Sequence, residues 1–80
     1  MSKYTVILIK ESETETEVVY RFGPNEAHMG RLKMEKKTGS VYEMDEVPVE
    51  HPGAFFTCGA YKLLAHRAKG EYPDMTSLAS

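Results

Sequence analysis

The chain has one cysteine, Cys58, and no tryptophan among its 80 residues. A single thiol cannot close an internal disulfide, which points to a reducing compartment. No apolar run approaches the ~20 residues a membrane-spanning helix needs. Met1 leads almost directly into strand-like sequence, with no basic and apolar leader, so a cytoplasmic location is expected. Net charge is scarce as well: ten Lys and Arg against twelve Asp and Glu leave −2 with neutral histidines. That balance gives no global attraction for nucleic acid or acidic membranes.

The usual marks of catalysis are also missing. His28, His51, Cys58 and His66 are the soft-ligand candidates, but no two lie closer than seven positions. Zinc sites are commonly built from ligands two to four residues apart, so neither a metal nor a cofactor is expected. No phosphate-binding glycine loop, dinucleotide fingerprint or nucleophile elbow occurs. The carboxylates of "ESETETE" and "YEMDEVPVE" lie in exposed-looking segments, where no apolar pocket would raise an acid's pKa. A non-catalytic protein is expected.

What is present is an ordinary globular composition, 41% apolar and 28% charged, in a length that fits one domain over residues 1–80. Lys3 to Lys10 is rich in β-branched residues and predicts a strand. "ESETET" predicts a loop, and Glu17 to Phe22 a second strand. Setting Leu8 opposite Tyr20, with Val6 opposite Phe22 and Lys10 opposite Val18, gathers Tyr4, Val6, Leu8, Val18, Tyr20 and Phe22 on one face. Ile7, Ile9, Val19 and Arg21 fall on the other. In "GPNEAHMG", Pro24 suits a single helical turn and Gly30 an exit with positive φ.

In the next hairpin, Lys36-Lys37-Thr38-Gly39 predicts a type I turn with Gly39 in the left-handed region. A three-residue loop pairs Met34 with Tyr42 and Leu32 with Met44 on one face. The same register sets Arg31 opposite Asp45 and Lys33 opposite Glu43. A helix is predicted from Pro52 to Lys69, with Pro52 at its first position and Gly70 just past its end. At ~100° per residue, Thr57, Ala60, Tyr61, Leu64 and Ala68 share an arc centred on Leu64, expected to cover the sheet. Lys62, His66 and Lys69 line the opposite side. The predicted architecture is α+β: a four-stranded antiparallel meander with one helix across one face, and residues 71–80 as a possible tail.

"FGPNEAHMGRLKMEKKTGSVYEM", followed by a helix and "YPDMTSLAS", resembles a group of small bacterial proteins without an assigned activity. Those carry an FGP turn, a K-x-T-G hairpin, one helix and an F/Y-P tail. The resemblance spans most of the chain and rests on turn and packing residues. It implies this fold and a bacterial origin, and no catalytic residues.

One helix covers one face, so Ile7, Ile9 and Val19 are left as an apolar patch on the other. Contiguous apolar surface on a small domain marks an interaction site. The expected function is therefore protein binding, including homodimerisation, through Ile7, Ile9 and Val19. Three other accounts compete: a central β1, shelter by the stem of Arg21, or a tail folded across the patch. The weaker functional reading is anion or nucleic-acid binding by Lys62, His66, Arg67 and Lys69, whose charges also complement the end of a helix dipole.

Overall fold

The computed structural model describes residues 5–79. Lys3 and Tyr4, included in the first predicted strand, lie outside the described residues. Five strands and one helix follow in the order β1 (Thr5–Glu13), β2 (Glu17–Asn25), β3 (His28–Glu35), β4 (Val41–Asp45), α1 (Pro52–Lys69) and β5 (Met75–Ala79). The α+β class with a single helix holds. The sheet has five antiparallel strands instead of four, in the spatial order β4-β3-β2-β1-β5. The meander carries the chain to one edge, and α1 returns it across one face so that β5 closes the other.

The missing strand is the predicted tail. The helix ends at Lys69, four residues before Pro73, and Met75 to Ala79 then pairs with β1 in unbroken register. Val6 faces Leu78 and Ile9 faces Met75. β1 is thus paired on both sides, so its apolar character on both faces suits an interior strand. The junction is held by side chains as well. Tyr20 donates its hydroxyl to the Pro73 carbonyl at 2.5 Å, and Lys10 Nζ donates to the Tyr72 carbonyl at 2.8 Å. Lys36 Nζ lies 4.9 Å from the centre of the Tyr72 ring.

Between β1 and β2, Thr14 Oγ1 accepts from the backbone N–H groups of Thr16 (3.2 Å) and Glu17 (3.1 Å) and ties the polar turn. The observed register sets Leu8 opposite Phe22 and Lys10 opposite Tyr20, two residues from the predicted one, with a bulge between Lys10 and Ser12. An even slip preserves the faces. Val6, Leu8, Val18, Tyr20 and Phe22 are all buried, together with Leu32, Met34, Val47, Phe55 and Leu63. Asn25 and not a helical turn makes the next connection, its Oδ1 accepting from the Ala27 N–H at 2.9 Å.

Gly30 lies inside β3 and does not adopt positive φ, contrary to expectation. Its lack of a side chain serves close approach instead. A Cβ there would sit 2.3 Å from the Asp45 carbonyl oxygen and 2.8 Å from the Val47 nitrogen, where the chain leaves β4. Gly39 does take positive φ, +80°. The β3–β4 loop is nonetheless one residue longer than predicted, since Glu35 bonds Ser40 and Met34 faces Val41. This odd slip turns Tyr42 out of the core, opposite Lys33, and a bulge at Arg31/Leu32 restores the Arg31–Asp45 pairing. Tyr42 and Met44 are about half exposed as a result.

The helix has its predicted ends, Pro52 and Lys69, and Gly70 caps it at φ 73°. Its rotation differs. Phe55, Gly59 and Leu63 are the buried residues, whereas Tyr61 is 67% and Leu64 43% exposed. The expected arc centred on Leu64 therefore points to solvent. Gly59 lets the helix backbone approach, because a Cβ there would lie 3.2 Å from Leu32 Cδ2 and 3.5 Å from Phe22 Cδ2.

Candidate partner-binding face

Strand alternation places Ile7 and Ile9 on the side of β1 away from the helix, between the fully buried Val6 and Leu8. Val19 and Arg21 do the same on β2, and Lys33 on β3. Each of these is partly exposed, while their neighbours toward the helix are buried. α1 packs on the opposite side, and β5 lies at the edge instead of across the patch.

The register refines the patch. Ile9 is opposite Arg21 on one side and Met75 on the other; Ile7 is opposite Gly23 and Ser77. Val19 is opposite Ser12 and Lys33. Ile9 and Val19 are thus diagonal neighbours, not the direct pair expected from sequence. Met75, 62% exposed, extends the apolar surface beside Ile9. The sequence places it in a tail that could fold across the patch, with Tyr72 and Leu78; instead it lies beside the patch in β5.

Arginine surrounds this surface. Arg21 and Arg31 are directly opposite across β2 and β3. Arg31 is neutralised by Asp45, 2.5 Å from Nε, and by Glu11, 3.1 Å from Nη1. Those carboxylates, Asp45 foremost, raise its pKa. Arg21 has no ion-pair partner among the described residues. Lys33 lies 3.7 Å from Glu17 and 5.6 Å from the centre of the Tyr42 ring, and does not pair with Glu43. Beyond it, Thr16, Glu17, Lys33, Glu35, Lys37 and Thr38 line an open groove of about 400 Å³ with both signs of charge.

The basic stripe divides. Arg67 is half-buried and donates to two backbone carbonyls of the β3–β4 turn, Lys36 (2.8 Å) and Lys37 (2.8 Å). His66, in the last turn of α1, is half-buried, with Nε2 3.0 Å from Thr76 Oγ1 of β5. Burial, then the charges of Lys62 and Lys69, lower its pKa, against a smaller upward pull from Glu71. Lys62 is partly buried and Lys69 exposed. The four do not form one solvent-facing row, contrary to the expected polar helix side.

A second ionic cluster joins Lys10 to Glu13 (2.7 Å) and Asp74 (3.4 Å), with Lys36 also 2.6 Å from Glu13. The hydrogen bond from Lys10, followed by that from Lys36, lowers the Glu13 pKa, and its return bond to Glu13 raises that of Lys10. The cluster fastens the segment before β5 to β1 and the β3–β4 turn. Among the described residues, no three His, Cys, Asp or Glu side chains converge as metal ligands. Cys58 is a free, partly buried thiol packed against the core. No helix among the described residues is long and apolar enough to cross a membrane.

Geometry and side chains thus define an α+β domain with one covered and one open sheet face. Compared with protein-family models, curated proteins and solved structures, the chain matches none of them.

Proposed function

We propose that the protein is a non-catalytic protein-binding domain that homodimerises through the open sheet face, with Ile7, Ile9 and Val19 at the centre of contact. The observation carrying this reading is the contrast across one strand: Val6 and Leu8 have no exposed surface, while Ile7 and Ile9 remain partly open with no element above them among the described residues. Two sheets stacked on these residues would bury apolar surface that one helix leaves uncovered.

Size supports a second copy as the occupant. The molecule measures 33 × 25 × 19 Å, and the short dimension suits the stack of helix on sheet. The broad sheet face is then of the order of the ~800 Å² per partner that a stable interface buries. Arg21, Arg31 and Lys33, with Glu11 and Glu17, supply charges of both signs around the apolar centre, so a two-fold axis has opposite charges available to meet.

Sedimentation equilibrium across a concentration series, on wild type and on Ile7→Lys/Ile9→Lys, tests the reading. A wild-type assembly whose order falls in a folded variant supports it. Wild type that stays monomeric at every concentration refutes it. Self-association through apolar surface should also vary little with salt, unlike attraction to a polyanion.

A further inference from the structure

β5 is the last strand of its sheet, and no strand pairs with its far side among the described residues. The alternation of the β1–β5 ladder identifies the backbone groups left over. The Lys10 N–H donates to the Asp74 carbonyl at 2.8 Å, which makes these two a hydrogen-bonded pair. Counting in steps of two along the antiparallel register, Leu8–Thr76 and Val6–Leu78 are hydrogen-bonded pairs as well. Met75, Ser77 and Ala79 lie between them, so their N–H and C=O groups point away from β1, toward the open edge.

Sheets ordinarily guard such an edge with charge, proline or a bulge. The opposite edge, β4, follows that rule. It contains Glu43 and Asp45, and its ladder is interrupted by a register shift. β5 has none of these inside it. Met-Thr-Ser-Leu-Ala is uncharged, free of proline and paired to β1 without a shift.

We infer that β5 receives the β5 strand of a second copy of this chain, antiparallel about a two-fold axis at Ser77, joining two five-stranded sheets into one. The axis sets Met75 of one copy opposite Ala79 of the other, and Ser77 opposite its own counterpart. Each of these pairs uses the outward backbone groups, so the ladder closes with donors meeting acceptors. Side chains agree with that register. On the open face a long Met75 meets a small Ala79, and on the helix side Leu78 meets Thr76. No charge in the strand faces its like, which favours a second copy over a strand selected by charge. This surface is the sheet edge and is distinct from the face of Ile7, Ile9 and Val19.

Ser77→Pro separates them. The substitution deletes an outward N–H and leaves the β1 ladder its bonds, the situation in which an edge strand tolerates proline. Backbone amide exchange and sedimentation equilibrium would be read together. The expected result is protection of the Ser77 amide that rises with protein concentration, and a dimer that persists in folded Ile7→Lys/Ile9→Lys. Adding Ser77→Pro to that variant should leave a folded monomer. A Ser77 amide in wild type that exchanges at the open-chain rate at every concentration overturns the inference, and needs no variant to fold. A folded Ile7→Lys/Ile9→Lys monomer from a wild-type dimer also overturns it while leaving the face contact standing.

Discussion

The Arg67 guanidinium spans two consecutive carbonyls, donating through Nε to Lys36 and through Nη2 to Lys37, each at 2.8 Å. It also lies flat enough against Gly39 that a Cβ there would meet Cζ at 3.2 Å. The last turn of α1 is thereby tied to the β3–β4 turn. Arg67→Ala should lower the unfolding free energy by ~1.5–3 kcal/mol, the range for hydrogen bonds that involve a charged group. Arg67→Lys should recover little, since an ammonium cannot reach both carbonyls in the planar fork of a guanidinium. Urea midpoints of the three proteins check this.

Leu63 and Leu64 are adjacent and have opposite surroundings. Leu63 has no exposed surface, and Leu64 is 43% exposed. Leu63→Ala should cost ~2–5 kcal/mol by opening a cavity. Leu64→Lys should stay within ~0.5 kcal/mol of wild type, as surface substitutions do. Equal losses at the two positions would reverse the helix rotation described above.

Tyr20 should ionise well above the ordinary range of a phenol. Burial pushes its pKa up to about 12. Because the folded value lies above the unfolded one, the unfolded state loses its proton first. Stability therefore falls as pH rises from about 10 toward about 12. An ultraviolet titration should show a late-ionising phenol in wild type that Tyr20→Phe lacks. That variant also deprives the Pro73 carbonyl of its donor and should lose ~0.5–1.5 kcal/mol at neutral pH.

His66 predicts a transition on the acid side. Its folded pKa is depressed, chiefly by burial, so protons bind the unfolded state more readily. The stability contributed by the neutral imidazole is present above the unfolded value, about 6.5, and is lost as pH falls through the lower folded value. His66→Gln retains a polar partner for Thr76 but does not titrate. The slope of the unfolding midpoint below pH ~6.5 should be shallower in that variant.

The fate of each sequence expectation follows from the parity of its error. The β1–β2 register is displaced by two residues, which leaves Val6, Leu8 and Tyr20 on the core face. The β3–β4 register is displaced by one, and Tyr42 and Met44 change from core to surface. Helix ends were legible because Pro52 and Gly70 act locally. Helix rotation was not, because Tyr61 and Leu64 on one side balance Phe55 and Leu63 on the other, and Gly59 touches the sheet without contributing to an apolar pattern. β5 was hidden by its composition. Thr, Ser and Ala alternate too weakly to announce a strand, and only the vacancy beside β1 gives them one.

The open-face residues Ile7, Ile9 and Val19 were visible from alternation alone, which requires no knowledge of register. The place of Met75 beside them, in a strand and not in a tail laid across them, was not. Arg67 and His66 looked like a binding stripe because spacing along a helix says nothing about what the helix end rests on. One faces the carbonyls of a turn, and the other a threonine hydroxyl on β5.

Thr5 and Ala79 are direct partners in the β1–β5 ladder. Positions separated by nearly the whole chain therefore lie only ~5 Å apart. A short glycine-rich linker from Ala79 to Thr5 would convert the domain into a closed ring, which can be reopened at the turn between β1 and β2. Such a rearranged protein would retain every layer of the fold while making the β1–β5 pairing a local hairpin. It should fold faster than the natural order, whose pairing requires contact between distant segments.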